Sequence, residues 1–220
     1  MTNLRFALYL AASLVVAMDV REFTRSAIAT RAGDPTPRLW GRRSWNPRSW
    51  FDPFGSGLLP GLILVLWAAG ASFLPPPVAY AKPAPVDPNY FRNRRRDTVV
   101  VSLAGPIANL ALAGAAGLAL RVLIGGGTIG EVARFLVAFE LTNLCLLVFH
   151  LLPIPGLDGA RIVALFLPPR AAEVYRNADQ YLPLFVLAIL FVLGGPLTSI
   201  VYSLTDSLCR LLSGFGCTPL

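Results

Sequence analysis

The chain has 220 residues, 55% of them hydrophobic and 14% charged, with a mean hydropathy of +0.61. Soluble domains carry about 25% charged residues, so the composition excludes a soluble globular protein and points to one membrane-embedded bundle. The formal charge of +7 gathers in segments between apolar runs, as cytoplasmic loops do, which indicates the lipid bilayer and no nucleic acid as partner.

The first apolar run, residues 4–30, has no small-residue cleavage site after Arg5 and reads as a first span. Set into it are Asp19, Arg21, Glu22 and Arg25. A span needs about 20 residues, so counting from Leu4 places Arg21 and Glu22 inside the bilayer, nearer its far side. Each charge there costs roughly 2.5–3.5 kcal/mol on the insertion scale. Such groups are expected to face protein and to pair. The alternative is a span that ends at Met18, with interfacial charges after it.

Residues 31–57 hold five arginines and three tryptophans among the prolines, an interfacial basic loop that the positive-inside rule puts in the cytoplasm. The next apolar run, 58–74, is short, contains Pro60 and Gly61, and ends at Pro75, Pro76 and Pro77. A second basic segment, 81–97, follows with Arg92, Arg94, Arg95 and Arg96. A full crossing at 58–74 would carry that cluster outside. A re-entrant hairpin over about 58–80 keeps it in the cytoplasm, provided protein covers the non-helical backbone. Further spans are expected at 98–124, 131–157 and 181–205, with a glycine-rich turn at 125–130 and a cytoplasmic loop at 158–180. The fold class is therefore all-α integral membrane, about four transmembrane helices plus the hairpin, in a single domain 1–220.

Glu140 lies 18 residues before Asp158, about 27 Å along a helix, so it belongs to the opposite interface. Cys145 reads as core, and Cys209 and Cys217 can pair if the C-terminal end is extracytoplasmic. No Cys-x-x-Cys occurs, and the single histidine, His150, excludes a histidine-based zinc site built from this chain alone. Eighteen of the 19 basic residues are arginine, Lys82 being the exception, a usage that suggests a GC-rich bacterial source.

Several short motifs follow one another in a fixed order. They are Gly33-Asp34-Pro35-Thr36, Gly41-Arg42, Asn46-Pro47, Asp52-Pro53-Phe54-Gly55, Ala81-Lys82-Pro83 with Phe91-Arg92-Asn93, and Ala104-Gly105-Pro106 with Asn109. The last runs from Leu151 through Pro153-Ile154-Pro155 to Leu157-Asp158-Gly159 and Arg161. Together they resemble the short bacterial site-2 proteases, intramembrane zinc metalloproteases, collinearly over most of the chain. The resemblance implies a site of two histidines at i and i+4 and an aspartate on zinc, with a glutamate as general base. Carried onto this sequence, the histidine positions are Arg21 and Arg25, the base position is Glu22 and the aspartate is Asp158.

Arginine has no lone pair for a metal and stays protonated. Zinc lowers the pKa of bound water from about 15.7 to about 7, on the order of 12 kcal/mol of activation at 1.36 kcal/mol per unit. Glu22 with an unbound water does not replace that, so no cofactor is expected here where the family has zinc, and Glu22 is expected to be idle. Two guanidinium groups against Glu22 and Asp158 sum to zero, as does a zinc ion with two carboxylates. An ion-pair site of Arg21, Arg25, Glu22 and Asp158 is the expectation.

His150 occupies the position of the family's asparagine near bound substrate. It is read as a site-lining or satisfied interior residue, or as a replacement metal ligand beside Asp158. Pro153 and Pro155 leave extended backbone, and with Asn109 and His150 they form the expected substrate groove. Function is expected to be that of a pseudoprotease in the bacterial plasma membrane, binding or regulating a client's transmembrane segment or a partner protease. The alternatives are an active metalloendopeptidase with an unconventional metal site, a neutral remnant, or a small transporter, since intramembrane ion pairs also mark transport paths.

Overall fold

The computed structural model describes residues 2–82, 86–125, 130–188 and 194–217. The expected turn at 125–130 and the middle of the expected last span lie partly outside the described residues.

Helix α1, Thr2–Ala32, is 31 residues long, about 46 Å at 1.5 Å per residue, more than the roughly 30 Å hydrocarbon core. Gly33 ends it at φ +114°, a left-handed conformation that needs glycine, and a Cβ there would meet the Tyr90 carbonyl oxygen at 2.7 Å. The buried Asp34 carboxylate then accepts from the backbone N–H of Thr36 at 2.9 Å and of Asp87 at 2.8 Å. The Gly-Asp-Pro-Thr motif is thus a clasp between two loops, closing over the short helix α2, Thr36–Leu39.

The next element is a hairpin. Asp52 caps a π-helical turn, Pro53–Leu58, by accepting from the N–H groups of Phe54 and Gly55 at 3.0 and 2.7 Å. The turn runs on into α3, Leu59–Ala69. The hairpin tip reaches the start of α1, where a Cβ on Gly70 would touch the Asn3 amide and Trp67 packs on Phe6. From there the chain returns extended, buried from Pro75 to Tyr80. Three consecutive prolines remove three backbone donors from that stretch. The carbonyls of Pro75 and Leu74 accept from Trp67 Nε1 at 3.0 Å and the Tyr202 hydroxyl at 2.9 Å. Extended backbone inside a bundle is tolerated only when it is paired in this way. The two limbs close on each other through Tyr80 N–H to Gly55 O at 3.0 Å and Lys82 N–H to Trp50 O at 2.9 Å. A segment whose ends are hydrogen-bonded together leaves at the level where it entered.

Helices α4, Arg94–Gly125, and α5, Glu131–Leu151, pack on each other and on α1 to form the core. With α1 they are the three helices among the described residues long and apolar enough to cross a membrane. Short helices α6, Asp158–Val163, α7, Pro169–Asn177, and α8, Leu182–Leu187, follow, and α9, Gly194–Leu212, packs on α5 and α4. Cys209 and Cys217 are disulfide-bonded with Cα atoms 5.9 Å apart, and Cys145 is free and buried. No β-strand occurs among the described residues.

The bundle has two chemically different ends. At one lie Asn3, the hairpin tip, the Tyr9 hydroxyl on Glu131, and Arg121 donating to the Leu211 carbonyl at 2.6 Å beside the disulfide. At the other lie the Asp34 clasp, Arg94 and the start of α6. Glu140 packs on Gly117 in the first half. Its assignment away from Asp158 agrees with that, and it is 0% exposed, buried between helices.

Candidate functional site

Arg21, Glu22 and Arg25 occupy just over one turn of α1, and Asp158 opens α6 opposite them. Gly159 makes that approach possible, because a Cβ there would collide with the carbonyl oxygens of Leu151 and Leu152. Gly105 does the same from α4, where a Cβ would lie 2.9 Å from Arg21 Cγ. Pro106 beside it contributes no N–H to the helix ladder, the usual origin of a local bend.

The Arg21 guanidinium spans the two carboxylates, Nη1 donating to Glu22 Oε1 and Nη2 to Asp158 Oδ2. Arg25 Nη1 stands 3.7 Å from Asp158 Oδ1, an ion pair longer than a hydrogen bond. All four residues are at most 5% exposed. One guanidinium that holds two carboxylates at once is strong charge-assisted bonding, and it offsets the desolvation that isolated buried charges suffer. The satisfaction is incomplete: Arg21 Nε and both Nε and Nη2 of Arg25 are buried without hydrogen-bond partners among the described residues.

A third arginine completes the cluster. Arg161 Nη1 is 3.9 Å from Asp158 Oδ1, i,i+3 on α6. Three guanidinium groups around two carboxylates leave +1, where the four-residue arithmetic from sequence closes at zero. From sequence Arg161 is the last residue of the final motif, placed in the cytoplasmic loop 158–180, with no part in the ion-pair site. The helical spacing from Asp158 is the signal that would have found it, once 158–163 is recognised as helix and not loop. Asp19 is held apart from the cluster by Trp50 Nε1 at 2.5 Å. Arg42, whose pKa burial lowers, lies close enough to Glu22 to feel its charge.

The groove candidates are placed differently. Asn109 is fully buried on α4, with both amide atoms unpartnered among the described residues. His150 is 2% exposed, with Nδ1 2.9 Å from its own helix's Leu146 carbonyl. Pro153 and Pro155 lie on the extended connection from α5 to α6, Pro153 at the surface with its carbonyl taken by the Tyr175 hydroxyl.

The donor set does not fit zinc. Two of its members are guanidinium groups with no lone pair, and both carboxylates are engaged by Arg21. Among the described residues no three His, Cys, Asp or Glu side chains are grouped to hold a metal.

Comparison with known proteins gives the lineage. The Bacillus subtilis protein named "Putative zinc metalloprotease YwhC" is 34% identical over 191 residues, covering 84% of this chain and 80% of its own. This chain belongs to the site-2 protease family. A Mycobacterium tuberculosis member, "Putative zinc metalloprotease Rip2", is 33% identical over 199 residues, 89% of this chain and 72% of its own. No family model and no solved structure matches. The site-2 protease relatives are named for zinc, and this member's donor set disagrees with that name.

Proposed function

We propose that this site-2 protease family member is a pseudoprotease: a non-hydrolytic, multi-pass protein of the bacterial plasma membrane that binds a client's transmembrane segment, or that of a partner protease, and regulates it. The observation that carries this reading is the Arg21 guanidinium lying between Glu22 and Asp158, where the family motif implies a metal between histidines and an aspartate. Glu22 has a permanent cation on its carboxylate and no metal-bound water to deprotonate. The buried, unpartnered Asn109 amide and the extended backbone at Pro153 and Pro155 support a retained binding role, since such groups suit an unwound segment. The concentration of arginines at the Arg94 end supports a cytoplasmic orientation for the ion cluster.

The test is a cleavage assay in reconstituted vesicles, with transmembrane segments made labile by glycine and proline as substrates. Wild type and Glu22→Gln should leave them equally intact, while photo-crosslinkers at positions 109 and 153 capture them. Cleavage by wild type that Glu22→Gln abolishes would overturn the proposal.

A further inference from the structure

At the basic end of the bundle a cavity of about 300 Å³ opens between the start of α4, α6 and the end of α7. Arg94, Arg161 and Arg176 line it, with Asp179 as the carboxylate among its lining residues. The lining therefore carries +2. Among the described residues no carboxylate lies within ion-pair distance of Arg94 or Arg176, and Arg161 shares Asp158 with two stronger claimants. Ser102, from α4, is 2% exposed and lines the same cavity. Phe91 and Leu165 add apolar lining.

We infer that this cavity binds a phosphate monoester group. Such a group carries about −1.5 to −2 at neutral pH, which matches the lining charge. Guanidinium forks suit its oxygens bidentately, and the Ser102 hydroxyl on the lining is a further donor. The apolar lining residues take the organic remainder, and the volume is that of a small-ligand site. Thr98 and Ser102 stand where α4 is expected to enter the bilayer, so the phosphate can come from a lipid headgroup or a soluble ester. This inference does not depend on whether the neighbouring cluster hydrolyses anything.

The experiment uses the full chain in nanodiscs of zwitterionic lipid. One arm titrates inorganic phosphate at constant ionic strength, and the other compares discs with and without phosphatidic acid, each read by tryptophan fluorescence and unfolding temperature. Saturable binding is expected in at least one arm, and the arm that responds identifies the source. Arg94→Gln and Arg176→Gln, both at exposed positions, should each weaken it about tenfold, as loss of a charge-assisted bond does. Asp179→Asn should tighten it, and Arg210→Gln at the other end should leave it unchanged. Absence of saturation in both arms, or wild-type affinity in both arginine variants, would overturn the inference.

Discussion

A buried cluster with more cations than anions should be sensitive to loss of either carboxylate. Asp158→Asn removes the partner shared by Arg21, Arg25 and Arg161, and breaking one side of a buried pair typically costs about 3–5 kcal/mol. Thermal unfolding in detergent should register that loss. Arg21→Met combined with Asp158→Leu should cost at least as much as Asp158→Asn alone, because Glu22 then loses its partner as well as Arg25. Gly105→Ala is expected to destabilise through the Arg21 stem, 2.9 Å from the added methyl; an unfolding temperature equal to wild type would show that the arginine has room to move. At this scale sequence went far. Charge inside an apolar run forces pairing, so Arg21, Glu22 and Arg25 were legible, and the motif resemblance supplied Asp158 as their partner. Arg161 was not, because an arginine beside a span is first a topology signal, and only the helix at Asp158–Val163 turns its spacing into a contact.

Among the elements, the hairpin carries most of the topological weight. Proline and glycine in a short apolar run, followed by an arginine cluster, made a hairpin legible. The form of its return did not follow from sequence: Pro75, Pro76 and Pro77 read as terminators, whereas they build a buried extended limb whose carbonyls meet Trp67 and Tyr202. Those partners lie 8 and 128 residues away, and no local pattern signals the distant one. The closed limbs make a clear expectation. Single cysteines at Arg48 and Asn89, both exposed, should label from the same side of the membrane with an impermeant maleimide, and labelling from opposite sides would contradict the hairpin. Asp52→Ala should cost about 1 kcal/mol, the usual loss for a helix cap, and loosen the Gly55–Tyr80 closure without disturbing the ion cluster.

For the whole molecule, the two ends impose an orientation. The Cys209–Cys217 disulfide sits at the Arg121 end, and disulfides persist in oxidising compartments, so that end should face away from the cytoplasm. Denatured, unreduced protein should show one reactive thiol, Cys145, and three after reduction; three before reduction would place that end in a reducing compartment. The same orientation puts the arginine-lined cavity and the cluster on the cytoplasmic side, together. Within the bundle Asp158 meets residue 21, and a guanidinium occupies that meeting point. The most direct measurement is the zinc content of wild type and of the Arg21→His, Arg25→His double variant after dialysis against chelator. Wild type should retain well under one zinc per chain and the double variant should approach one, its carboxylates freed for the metal. Stoichiometric zinc in wild type would contradict the guanidinium-filled site.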